Sequence, residues 1–281
     1  MRRPALAKLL GTLLTEGSAP LSLFSASART ALSPQFAAGI LQEERFGAGT
    51  RVAVRNKTVL EAFAAQLFPS GLNISPDGDT PRATAVGYYR DAKAAGTTVA
   101  EPVLVRAFNN MVFERKGETL PASSLTGKYG VAAFLLKEPP HWGYSGTLAI
   151  VENLEPFLCF EKMKVAADAA VYAGGKMSGR MLAWFASAEM SKCSFLHCGD
   201  YDPVGIDEYL RLKKACGASV KLHIPENIEA LFEKYGKREL LTDSETVLRR
   251  LRATKDPDAL RVIELMNTCN TGLEQEILLL K

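Results

Sequence analysis

His197-Cys198-Gly199-Asp200-Tyr201-Asp202-Pro203-Val204-Gly205, entered through Ser194-Phe195-Leu196, decides how the whole chain is read. An apolar run of strand length delivers two carboxylates one residue apart. Pro203 then opens the helical pattern Ile206-Asp207-Glu208-Tyr209-Leu210-Arg211-Leu212. Proline suits a first helical position because no backbone N–H is lost there, and the Asp before it is a favoured N-cap. Taken alone, D-x-D reads most simply as a solvated turn that caps a helix. At the end of a buried strand it reads differently, because ligands of parallel α/β sheets gather at the carboxyl ends of strands. Mg²⁺ is usually held there by one or two carboxylates with water and phosphate.

The preceding strand strengthens that second reading. Leu148-Ala149-Ile150-Val151-Glu152-Asn153 is another buried-looking run that ends in an acid. An apolar-periodic segment (Leu154 to Lys164), a strand (Asp168 to Ala173) and a helix (Ser178 to Ser191) separate it from the D-x-D strand. A helix from Pro203 to Cys216 and a strand from Ser219 to Ile224 follow. Strands alternating with helices predict β-α-β units on a parallel sheet covered on both faces. Right-handed crossovers bring the ends of the Glu152 and Asp200 strands to one edge, so three acids converge.

Val151-Glu152-Asn153, followed one β-α-β unit later by Gly199-Asp200-Tyr201-Asp202-Pro203-Val204-Gly205, resembles the Toprim signature of topoisomerases, bacterial primases and several nucleases. The order V-E-N, G-D-x-D-x-x-G and a terminal Leu273-Glu274-Gln275-Glu276 resembles more closely the JetD subunit of Wadjet plasmid-defence systems. The similarity runs from Leu148 to Ile277 and extends loosely to the front half. It implies an α/β Toprim domain with a Rossmann-like parallel sheet, joined to an N-terminal winged-helix, α+β module. Type IIB topoisomerase A subunits pair the same two folds.

Composition is compatible with this and decides little. The chain has 281 residues, 47% of them apolar, and a formal charge of +3. The excess of Lys and Arg lies in residues 1–140, while 141–281 are slightly acidic, which suits a DNA-gripping part joined to a metal-holding part. Five cysteines, at 159, 193, 198, 216 and 269, form no C-x-x-C pair. Their odd number argues against a disulfide framework, and they read as small buried residues of a reducing cytosol. With no apolar run of about 18 residues and no secretory leader, the expected location is cytoplasmic, away from membranes.

In the front half, helical spacing covers Ala5 to Leu14, Ala26 to Leu32 and, after Ser33-Pro34, Gln35 to Arg45. The alternating strand Arg51 to Arg55 and the helix Lys57 to Leu67 come next. Three short helices and a strand with basic flanks read as a winged helix-turn-helix, in which strand and wing residues touch phosphate. Arg45, Arg51, Arg55 and Lys57 are the candidate DNA contacts. Ser70 to Pro81 reads as a linker, Ala83 to Ala94 as a helix, and Pro121 to Gly130 as a loop. Lys137 to His141 reads as a boundary. The expected domains are therefore residues 1–75 (winged helix), 76–140 (linker and connecting α+β region) and 141–281 (Toprim).

The resemblance implies a Mg²⁺- or Mn²⁺-dependent DNA endonuclease, a hydrolase of an anti-plasmid or anti-phage defence system, acting on double-stranded DNA. Asp200 and Asp202 would hold the metal, Glu152 would bind it or move protons, and Glu276 would complete the set. Glu155 lies one helical turn beyond Glu152. Lys176, in the Gly-rich stretch after the second strand, would approach phosphate. The chain has no G-x-x-x-x-G-K-[ST] loop, so ATP hydrolysis would come from an SMC-like partner, and a homodimer is a further expectation. The alternatives are a type IIB topoisomerase-like transesterase, with Tyr88 or Tyr89 as nucleophile, and a non-catalytic DNA-binding protein with a degenerate Toprim.

Overall fold

The computed structural model describes residues 3–47, 49–72, 81–89 and 99–280. The chain forms two compact units, Met1–Val99 and Ala100–Lys281.

The first unit opens with helix α1 (Arg3–Glu16), whose Leu6, Leu9, Leu10 and Leu13 recur at three- and four-residue spacing and are all buried. Strand β1 (Ser18–Pro20), a 3-10 turn, helix α2 (Ala26–Ala37), strands β2 (Leu41–Phe46) and β3 (Gly49–Val54), and helices α3 (Lys57–Leu67) and α4 (Pro81–Tyr89) follow. The strands form an antiparallel sheet in the order β1-β3-β2. Two expectations fail here. Pro34 lies inside α2 and does not start a new helix; the Thr30 carbonyl it leaves without a backbone donor accepts the Ser33 hydroxyl at 2.9 Å. The predicted helix through Arg45 is instead β2, paired with β3 from Leu41↔Val54 to Phe46↔Gly49. Leu41 is its one fully buried residue, so Gln42, Glu43, Glu44 and Arg45 gave no apolar alternation to read. Most of the expected linker and the end of the Ala83–Ala94 helix lie outside the described residues, as do the side chains of Tyr88 and Tyr89.

The second unit is built on a mixed, mostly parallel sheet. Its chain order is β4 (Glu101–Ala107), a hairpin of β5 (Phe113–Arg115) and β6 (Glu118–Leu120), helix α5 (Ala122–Tyr129), then β7 (Ala132–Leu136) and β8 (Gly146–Val151). Helix α6 (Leu154–Leu158), β9 (Ala169–Tyr172), α7 (Gly179–Phe185), β10 (Cys193–Cys198), α8 (Pro203–Cys216) and β11 (Val220–Leu222) carry the β-α-β alternation. Helices α9 (Ile228–Tyr235), α10 (Glu239–Thr242), α11 (Glu245–Leu251) and α12 (Pro257–Cys269) and a C-terminal 3-10 turn (Gln275–Leu279) close the chain. The strand order is β11-β10-β8-β9-β4-β7. The first four strands are parallel, while β4 runs antiparallel to both β9 and β7.

Alternation along β8 divides the apolar side chains between two cores, as a sheet covered on both faces requires. Leu148 and Ile150 pack with Val171, Trp184, Phe195, Ile206 and Tyr209. Ala149 and Val151 pack with Phe157, Phe160, Ala170 and Cys198. The predicted helix 203–216 is present; the expected 178–191 helix ends at Phe185 and is followed by a 3-10 turn at Ala188–Met190. The expected loop 121–130 contains α5, which Gly130 closes with a left-handed φ of +83°.

The boundary expected near residue 140 is not where the units divide. Strands β4 and β7 continue the sheet of the second unit, and Val103, Val105 and Leu136 belong to its core. Without them the edge of β9 would expose unpaired backbone groups. A fragment of residues 100–281 is therefore expected to be soluble and to unfold cooperatively on heating, while 141–281 should aggregate or lack a sharp transition. Equal behaviour of the two fragments would refute the assignment of β4 and β7.

Candidate active site

Parallel register sets the position of the acids. Val151 lies opposite Cys198 in the β8–β10 pair, so Glu152 and Gly199 leave the sheet side by side, and Glu152 N donates to Cys198 O at 3.1 Å. A Cβ at Gly199 would stand 2.6 Å from Glu152 Oε2 and 2.6 Å from His197 Cε1. A side chain there would push the Glu152 carboxylate or the His197 ring aside. A Cβ on Gly205 would fall 2.1 Å from the Asp200 carbonyl oxygen, so the first turn of α8 lies directly on the acidic corner. Asp202 is the N-cap of that helix, its Oδ1 accepting from Gly205 N at 2.7 Å.

The C-terminal segment completes the edge. Asp200 Oδ1 accepts from Asn153 Nδ2 at 2.9 Å and from Gln275 N at 2.7 Å. Asn153 Nδ2 also donates to Glu276 Oε2 at 3.3 Å. Gln275 is fully buried, and its Nε2 donates to Cys198 O at 2.7 Å. A bridge between Tyr201 and Leu273 and another between Lys237 and Gly272 hold this strap against the D-x-D corner. Asn153 and Gln275 thus position the acids, although the sequence singled out only their carboxylate neighbours. The signal available was an amide residue next to Glu152 and next to Glu276.

Burial dominates the electrostatics. The Glu152 carboxyl is raised to about 7, first by desolvation and then by the charge of Asp200. Asp200 is raised to about 6, again by burial first, with Asp202 and Glu276 adding repulsion and the Gln275 amide opposing it. Asp202 is raised by burial, against the pull of its helix-cap N–H groups. Buried acids that repel one another call for a positive charge. In the structure the Asn153 amide stands between Asp200 and Glu276, where it donates to both. Hard oxygen donors in this setting match the ligand preference of Mg²⁺ or Mn²⁺. As the side chains stand, no group of three or more His, Cys, Asp or Glu converges closely enough to hold an ion among the described residues.

The other candidates divide between the two units. Glu155 is exposed on α6 and lines, with Glu276, Tyr235 and Lys237, a cleft of about 400 Å³ beside the acids. Lys176 is exposed in the β9–α7 loop, where its neighbour Gly175 donates N–H to Glu152 O at 3.1 Å. In the first unit, Arg55 pairs with Glu44 at 2.7 Å and with Gln42. Arg51 donates to Ser18 and covers the Phe46 ring at 4.2 Å. Lys57 faces Glu61 at 3.9 Å, and Arg45 is exposed on the hairpin.

The raised carboxyls fix a pH dependence. Between about pH 4.5 and 7 the native protein holds protons on Glu152 and Asp200 that the unfolded chain has released. Stability therefore falls as pH rises through this window. Without divalent metal, the melting temperature should drop from pH 5 to pH 8. Glu152→Gln should flatten the curve, and Mn²⁺ should restore the lost stability of the wild type at pH 8. A melting temperature that rises over this range in the wild type would contradict the electrostatics.

No protein-family model matches this chain, and no curated protein matches it, so the reading of the site rests on its geometry and chemistry.

Proposed function

We propose that the chain is a metal-dependent DNA nuclease with a Toprim-like catalytic unit and a winged-helix-like DNA-binding unit. The observation that carries the reading is the adjacency of the Glu152 and Asp200 strand ends, with Asp202 capping the following helix. The strand order β11-β10-β8-β9 supports the Toprim-like assignment. The succession of helix, short strand, helix and hairpin in the first unit supports the winged-helix assignment, with α2 in the position of the helix that enters the major groove.

Mg²⁺ or Mn²⁺ would be held by Asp200, Asp202 and Glu276 once their side chains turn toward one another, because as they stand they do not converge closely enough. When bound, it supplies positive charge to the non-bridging oxygens and the leaving oxygen of a phosphodiester. Glu152, at the end of β8 beside the Asp200 corner, takes the proton from the attacking water as general base. The new P–O bond forms as the bond to the 3′ oxygen breaks, and that oxygen takes a proton from solvent water while Glu152 returns the one it accepted to solvent. Asn153 and Gln275 hold Asp200 in place for this. A bacterial defence setting with an SMC-like ATPase partner belongs to the same reading.

With Mn²⁺, the wild type should nick or linearise supercoiled plasmid, and chelation should stop it. Asp200→Asn and Glu152→Gln should each lower the rate by about 100-fold or more. Denaturant quenching should leave DNA ends free of protein. An adduct that survives denaturation would replace hydrolysis with transesterification, and mutants as active as the wild type would refute the site.

The basic residues of the first unit should contribute unequally. Arg55 and Arg51 are engaged within the unit, whereas Arg45 is exposed on the hairpin. Arg45→Ala should lower the salt-dependence slope of DNA binding by about one charge, and Arg55→Ala by much less. Equal losses would mean that Arg55 leaves Glu44 to meet DNA.

A further inference from the structure

Glu208 is a charged residue with 3% exposure in the middle of α8, a position that the nuclease reading does not use. Its Oε2 accepts from Met177 N at 3.0 Å, and both of its oxygens accept from Arg211 Nη1. Arg211 Nη2 in turn donates to Met177 O at 3.2 Å. One ion pair thus engages both backbone groups of a single loop residue. Two residues earlier, Gly175 N is fixed to Glu152 O, and left-handed φ values of +68° at Gly174 and +80° at Gly175 turn the chain. The Met177 side chain is itself buried. Lys176 lies between these two anchored residues and is exposed.

A buried ion pair is weak support for stability, because an apolar pair of the same volume is often as stable. Glu208 also raises the Glu152 carboxyl, so its charge adds to the repulsion at the acidic edge. A positional role fits a carboxylate buried at that place. We propose that the Glu208–Arg211 pair clamps the β9–α7 loop so that Lys176 meets a DNA phosphate beside the carboxylates, which makes Glu208 and Arg211 positioning residues. This rests on the nuclease reading.

The test measures the salt dependence of duplex binding by the full chain without divalent metal, with KM and kcat for plasmid cutting alongside. Lys176→Met should reduce the slope by about one charge and raise KM with little change in kcat. Glu208→Gln makes the protein more positive, so simple charge counting gives tighter binding. The clamp gives the opposite: weaker binding, with the slope moved toward that of Lys176→Met. In the Lys176→Met background, Glu208→Gln should add nothing. Binding that is unchanged or tighter in Glu208→Gln, or a full additional loss in the double mutant, would overturn the clamp. If Glu208→Gln melts below the assay temperature, Arg211→Lys, which keeps the charge but loses the fork, carries the same comparison. A wild type that binds with these slopes yet never cuts would refute the nuclease reading and leave the clamp standing.

Discussion

The carbonyl of Cys198 accepts two hydrogen bonds, from Glu152 N and from Gln275 Nε2, and the acidic edge depends on both. The first ties the end of β8 to the end of β10, which places Glu152 beside Gly199. The second brings in a residue from the far end of the sequence, whose own N–H then fixes Asp200. Each bond is ordinary in strength, about 1 kcal/mol net. Their importance is geometric, because one acceptor sets the mutual position of three chain segments.

The strand ends and the helix at Pro203 were legible because their causes are local. Buried β-strands announce themselves as apolar runs, and an Asp before Pro is a helix start whatever surrounds it. Strand β2 was not legible, because its polar side chains face away from the core and its identity comes from pairing with β3. Strands β4 and β7 fell within the connecting region expected over residues 76–140 and were not read as part of the second unit's sheet, since an antiparallel extension leaves no mark on periodicity. Helix α5 was hidden by Pro121 and Gly130, which read as loop residues but here flank a short helix. At the site, the acids were visible by type and spacing, whereas Asn153 and Gln275 act on Asp200 through contacts between residues 47 and 75 positions apart. No local pattern encodes such a contact.

The site is built at the expense of the fold around it. Glu152, Asp200 and Asp202 are all raised by burial, so their charged forms oppose folding at neutral pH. The sheet tolerates this because its two apolar faces are extensive and because Asn153, Gln275 and the α8 N–H groups offset part of the desolvation. The same imbalance gives a cation a reason to bind. A fully compensated set of carboxylates would gain little from a metal, whereas these acids have unmet demand for positive charge.

The two glycines at the corner show how tightly this arrangement is fixed. At Gly199 the space a side chain would need is taken by Glu152 and His197, and at Gly205 by the Asp200 backbone. Neither glycine has a left-handed φ, so backbone freedom is not the reason for them. The reason is proximity: a Cβ at Gly205 would strike the Asp200 backbone, and one at Gly199 would displace the Glu152 carboxylate or the His197 ring. The G-D-x-D-x-x-G pattern is therefore a packing requirement as much as a chemical one, since the first glycine admits the neighbouring strand's carboxylate and the last lets helix α8 start on top of the turn. A protein that needed only a solvated turn at this point would have no use for either constraint, and that favours a functional reading of the corner over the simpler reading of D-x-D as a helix cap.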